Sequence, residues 1–73
     1  MSFDYSKLRG RITEKYGTAT AFAERNGLNY ITVIRRLRGI TGFSQEDIIQ
    51  WCQILDINPS DASLYFLQES SKH

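Results

Sequence analysis

Two helical runs too short to be stable alone meet at Gly27. The runs Ala19 to Asn26 and Tyr30 to Arg38, eight and nine residues long, flank the tripeptide Gly27-Leu28-Asn29. Isolated helices shorter than about 12–15 residues are marginal in water, so each run must gain its stability by packing. Gly27 can enter the left-handed conformation that ends a helix without a Cβ penalty. Asn29 then offers a side-chain acceptor to cap the second run, as Thr18 does for the first. Ala23, four residues before the glycine, keeps the closest approach of the two helices open, and Phe22 and Leu28 bracket the turn. Val33 and Leu37, four residues apart, give the second helix its buried stripe.

The rest of the chain reads as three more helices. Tyr5, Leu8, Ile12 and Tyr16 recur at helical spacing over residues 5–16, with Asp4 as the expected N-cap and Gly17 as the stop. Lys7, Arg11 and Lys15 make a basic ridge on another face of that helix. Ser44-Gln45-Glu46-Asp47 has the form of a capping box and opens a helix over 45–55, with Ile48, Cys52 and Leu55 inward and Trp51 at the edge. Asn58-Pro59 starts a fifth helix, 59–67, with Asn as cap and Pro at the first helical position. Residues 68–73 are polar and read as a flexible tail after a domain spanning 1–67. The expectation is an all-α, five-helix domain whose core includes Phe22, Ala23, Leu28, Val33, Leu37, Ile48, Cys52 and Leu55.

Composition limits the chemistry. One cysteine, Cys52, forbids an internal disulfide and a four-thiolate zinc site, and the one histidine is His73, in the tail. Serines without an internal histidine, scattered acids and no phosphate-cradling glycine motif argue against an enzyme, a cofactor, a metal or a small-molecule substrate. Neither a signal-peptide core nor a membrane-length apolar stretch occurs, so a cytoplasmic protein without a membrane partner is expected. The net charge is only +1. Residues 1–38, however, hold eight basic side chains against three acidic ones, while residues 39–73 hold one against five. This asymmetry predicts a basic working face and an acidic back.

The 18–39 pattern is that of a helix-turn-helix. The segment FAERNGLNYITVIRRLRG resembles the turn region of the lambda-repressor-like family, which holds phage repressors and Cro proteins. FDYSKLRGRITEKYG before it and FSQEDI after it resemble small regulators of temperate phages from Gram-positive hosts: Cro-like proteins and the antirepressors called modulators of repression. The resemblance covers residues 3–67 and implies five helices, with the second and third as the DNA-reading unit. Two departures stand out. Asn26 occupies a normally apolar position before the turn glycine, and the recognition helix opens with Tyr30 and Ile31 in place of amide-bearing base readers.

At about 100° per residue, Ile31, Arg35 and Arg38 point away from the core, with Ile34 at the flank. The expected DNA- or partner-binding set is Asn29, Tyr30, Ile31, Thr32, Ile34, Arg35, Arg36 and Arg38, with Lys15 and Thr18 as phosphate contacts. Exposed isoleucines cannot hydrogen-bond base edges; they touch thymine methyls or a protein surface. The first expectation is therefore a Cro-like regulator of a lysis–lysogeny switch that binds operator DNA. Such a regulator would be dimeric, through the fifth helix or the loop before the fourth. The alternative is an antirepressor whose helix-turn-helix face binds the co-encoded phage repressor and blocks its DNA binding. A toxin–antitoxin role ranks last, because the C-terminus is short for a toxin-binding tail.

Overall fold

The computed structural model describes residues 3–67. Its elements are α1 (Ser6–Tyr16), α2 (Ala19–Arg25), α3 (Tyr30–Leu37), α4 (Gln45–Leu55), a 3₁₀ turn (Pro59–Asp61) and α5 (Ala62–Phe66). No strand occurs among them. The expected all-α, five-helix fold is thus borne out; the expected tail, 68–73, lies outside the described residues.

Most of the capping chemistry follows the sequence. Thr18 Oγ1 accepts from the Ala21 amide at 3.1 Å and Asn29 Oδ1 from the Thr32 amide at 3.1 Å. Ser44 and Asp47 close a full capping box, at 3.0 and 3.1 Å. Asp4 differs from expectation. Tyr5 holds the N-cap position of α1, and Asp4 Oδ1 accepts from the Ser6 amide at 2.9 Å, because its carboxylate sits one residue too early to reach deeper into the first turn. The fifth helix also starts late. Asn58 Oδ1 accepts from the Ser60 amide and the Asp61 amide donates to the Asn58 carbonyl at 2.7 Å, which winds residues 59–61 as a tight 3₁₀ turn before α5 begins.

Helix ends are one residue tighter than expected at α2 and α3, where Asn26 and Arg38 are C-caps. After α2, the Leu28 amide donates to the Ala23 carbonyl at 2.8 Å and the Gly27 amide to the Glu24 carbonyl at 3.4 Å, with Gly27 at φ 65°. That paired closure is a Schellman motif. It recurs after α3, where Ile40 donates to Arg35 and Gly39 to Arg36. After α4 the closure differs: the Ile57 and Asp56 amides both donate to the Cys52 carbonyl, and the left-handed residue is Asp56, φ 57°, instead of a glycine.

The core is one cluster drawn from every α-helix. Tyr16, Phe22, Trp51 and Phe43 meet edge to face in series, with centroids 5.4, 4.9 and 4.9 Å apart. Tyr5 and Phe66 close on Phe43 at 5.5 and 5.0 Å. Such geometry adds roughly 0.5–1.5 kcal/mol per pair beyond the area buried. Trp51, expected at the edge of its helix, is instead fully buried at the centre of this series, because aromatic rings from three sides enclose it. Of the expected core, Phe22, Ala23, Val33, Leu37, Cys52 and Leu55 are buried. Leu28 and Ile48 are only half-buried, packed on the cluster's rim.

A candidate partner-binding face on α3

Val33 and Leu37, 1% and 5% exposed, fix the rotation of α3. Burying each contributes about 1.5–3 kcal/mol, so the face opposite them is set by packing and not by the face itself. That opposite face carries Ile31, 56% exposed, followed at i+4 and i+7 by Arg35 and Arg38, both exposed. Tyr30 is 45% exposed beside them, and Ile34 is half-buried at the flank, as the spacing predicted. Neither Arg35 nor Arg38 makes an ion pair among the described residues. Just past the helix, Ile40 is 64% exposed. Helical periodicity, which ends at Gly39, carries no signal of it.

Several expected site residues are engaged elsewhere. Arg36 turns toward α4, where its guanidinium pairs with Asp47 at 2.9 Å and lies over the Phe43 and Trp51 rings at 5.7 and 6.0 Å. Its side chain is 19% exposed, so it is a bolt between α3 and α4, not an outward contact. The Ser44 amide above all, with the Ser44 hydroxyl and Arg36 adding, holds the Asp47 carboxyl below the usual carboxylate range despite partial burial. Lys15 pairs with Asp56 at 3.2 Å, against the end of α4. Thr18 Oγ1 and Asn29 Oδ1 are occupied as caps, and Thr32 is half-buried with its amide bonded to Asn29.

The expected basic ridge of α1 is likewise turned inward. Arg11 Nε donates to the Leu55 carbonyl at 2.8 Å and its Nη2 to the Asp56 carbonyl at 2.9 Å. Lys7 lies over the Tyr65 ring at 5.3 Å. Carbonyls at a helix C-terminus carry partial negative charge, which Arg11 offsets at the end of α4. Both Lys15–Asp56 and Arg36–Asp47 join the basic half of the sequence to the acidic half. The charge asymmetry therefore builds the fold in large part, and the outward cations narrow to Arg35, Arg38 and Arg25 at the end of α2.

Sequence spacing did not reveal Arg9. Its Nη1 donates to the Leu37 carbonyl at 3.0 Å, placing a guanidinium beside the C-terminal turn of α3. No single-helix pattern signals a contact between residues 28 positions apart. Among the described residues, no three His, Cys, Asp or Glu side chains gather as a metal site. No described helix is long and apolar enough to cross a membrane.

Comparison with known proteins gives this geometry a context. No curated protein matches the chain. Among solved structures, the chain is similar to the solution structure of the modulator of repression (MOR) of the temperate bacteriophage TP901-1 from Lactococcus lactis, with a TM-score of 0.79 and 41% sequence identity. The match covers 90% of this chain and 89% of that one. Residues 1–69 match the family described as protein of unknown function DUF739. The fold is thus shared with a modulator of repression from a temperate phage, and the chain belongs to the DUF739 family.

Proposed function

We propose that this protein is a modulator of repression in a temperate-phage switch, acting in the cytoplasm of the bacterial host by binding the co-encoded repressor. It is a binding protein without catalytic chemistry or cofactor. The carrying observation is the outer face of α3, where Tyr30 and Ile31 stand exposed beside Arg35 and Arg38, which make no ion pair among the described residues. Aromatic, aliphatic and arginine anchors of this kind are typical of protein hot spots. The similarity to a modulator of repression supports the reading. So does the chemistry of base readout. The outward positions 30, 31, 35 and 38 carry no side-chain amide to pair with adenine, and Asn29 Oδ1 is held by the Thr32 amide.

The test is a titration of the wild-type chain and of the double variant Tyr30→Ser/Ile31→Ser against purified repressor and against operator and random duplexes at one salt concentration. Both residues are exposed, so the variant should fold normally. Micromolar or tighter repressor binding, lost in the double variant by about 30-fold or more, is expected, since each hot-spot anchor is worth about 2 kcal/mol or more. Operator-specific binding with no affinity for the repressor would instead establish a Cro-like DNA binder.

A further inference from the structure

Beside the α3 face, α1, α2 and α3 enclose a notch of about 320 Å³. Its apolar lining comes from Ile12, Ala19, Ile34 and Leu37, and Arg9 and Arg38 stand among its lining residues. Ile12 and Leu37 are buried, while Ile34 is half-buried and continuous along α3 with exposed Ile31. Among the described residues, no carboxylate lines the notch. Arg9 is steadied by the Leu37 carbonyl and lies near Asp4, whereas Arg38 has no ion pair among the described residues. The geometry thus offers an apolar recess with two guanidinium groups around it, one of them uncompensated.

From this we infer that the notch receives a single apolar side chain of the repressor flanked by a carboxylate, so that the repressor surface that meets α3 is acidic as well as apolar. The inference rests on the proposed repressor binding and specifies its chemistry. A guanidinium presents planar, paired donors that match a carboxylate, and a neighbouring apolar recess excludes water from that pair. A basic surface brought against Arg9, Arg35 and Arg38 would meet like charge, which costs affinity at close range.

Three single variants, each titrated against the intact repressor, test the notch. Thr13 is an exposed residue of α1 on the notch lining, and Thr13→Trp should plug the recess from outside. Arg38→Glu reverses the uncompensated charge. Arg25→Glu makes the same charge change outside the notch. Thr13→Trp and Arg38→Glu should each weaken binding by about tenfold or more, with unchanged melting curves, whereas Arg25→Glu should stay within about threefold of wild type. Rising salt should weaken the wild type and have little effect on Arg38→Glu.

Wild-type affinity in Arg38→Glu, or an equal loss in Arg25→Glu, would overturn the notch assignment. So would wild-type affinity in a folded Thr13→Trp; if that variant unfolds, the exposed Arg38 and Arg25 decide alone. Should Tyr30→Ser/Ile31→Ser still abolish binding in that case, repressor recognition by α3 stands and only its proposed chemistry fails. A wild-type chain that does not bind the repressor overturns both.

Discussion

On α1, Arg11 donates to the carbonyls of Leu55 and Asp56 and Lys15 reaches the Asp56 carboxylate, whereas the side chains of Arg35 on α3 and of the adjoining Arg38 make no hydrogen bond or ion pair among the described residues. The two sets look alike in the sequence, since each is a run of cations at helical spacing. What separates them is the surface each helix is turned toward. The inward cations of α1 meet the negative end of α4 and hold two elements together. Those on α3 are held out by Val33 and Leu37 on the other side of the same helix. A basic stripe therefore signals a partner only after the fold's own acceptors have taken their share.

The largest effect should come from removing what turns α3 outward. Val33→Asp places a charge without a partner in a site 1% exposed, and the cooperative melting transition should disappear near room temperature. A folded Val33→Asp variant would break the contrast at its base.

Next in size is the contrast itself. Arg11→Ala forfeits two charge-assisted hydrogen bonds from a side chain 26% exposed, and should cost about 2 kcal/mol, lowering Tm by about 10 °C. The folded fraction should still bind repressor normally. Arg35→Ala should do the reverse, leaving stability within about 0.5 kcal/mol of wild type while weakening the repressor complex. Equal loss of Tm in the two variants would erase the distinction between engaged and free cations.

The smallest effect concerns pH. Because the folded state holds the Asp47 carboxyl below its ordinary range, the capping box stabilises the protein above that range. The contribution should fade as pH drops through the depressed value. Thermal melts of wild type and Asp47→Asn should therefore differ at neutral pH and converge in acid. Curves separated by a constant gap down to the lowest pH would show that proton linkage at Asp47 is not the cause.

Much of the fold was readable because its signals are local. Thr18, Asn29, Ser44 and Asn58 each cap within three residues, and Gly17, Gly27 and Gly39 each stop a helix where the backbone turns left-handed. The end of α4 gave no such signal. Asp56 adopts the left-handed conformation that favours glycine, a state that costs a non-glycine residue of order 1 kcal/mol, and it is held there by α1. For the candidate site, helical spacing alone placed Ile31, Arg35 and Arg38 outward. It failed for Arg36 and Lys15, whose partners Asp47 and Asp56 lie 11 and 41 residues away. Helical periodicity gives the direction of a side chain and not what waits there. Trp51 was misplaced for the same reason, since its enclosure depends on Phe22, Phe43 and Phe66 from other elements.

Arg11 spans 44 residues to reach Leu55, and α2 and α3 both lie within the loop that this contact fastens. Closing a loop of that length carries an entropic cost, which the burial of Phe22, Ala23, Val33 and Leu37 in the common core helps to offset. The two short helices owe their order to packing against elements on both sides of that loop. A synthetic peptide of residues 18–40 would carry the proposed binding face and should show little helix in water, because the core that orients it lies outside its own chain. Any attempt to transplant this face onto another scaffold must therefore supply the apolar surface that Val33 and Leu37 pack against.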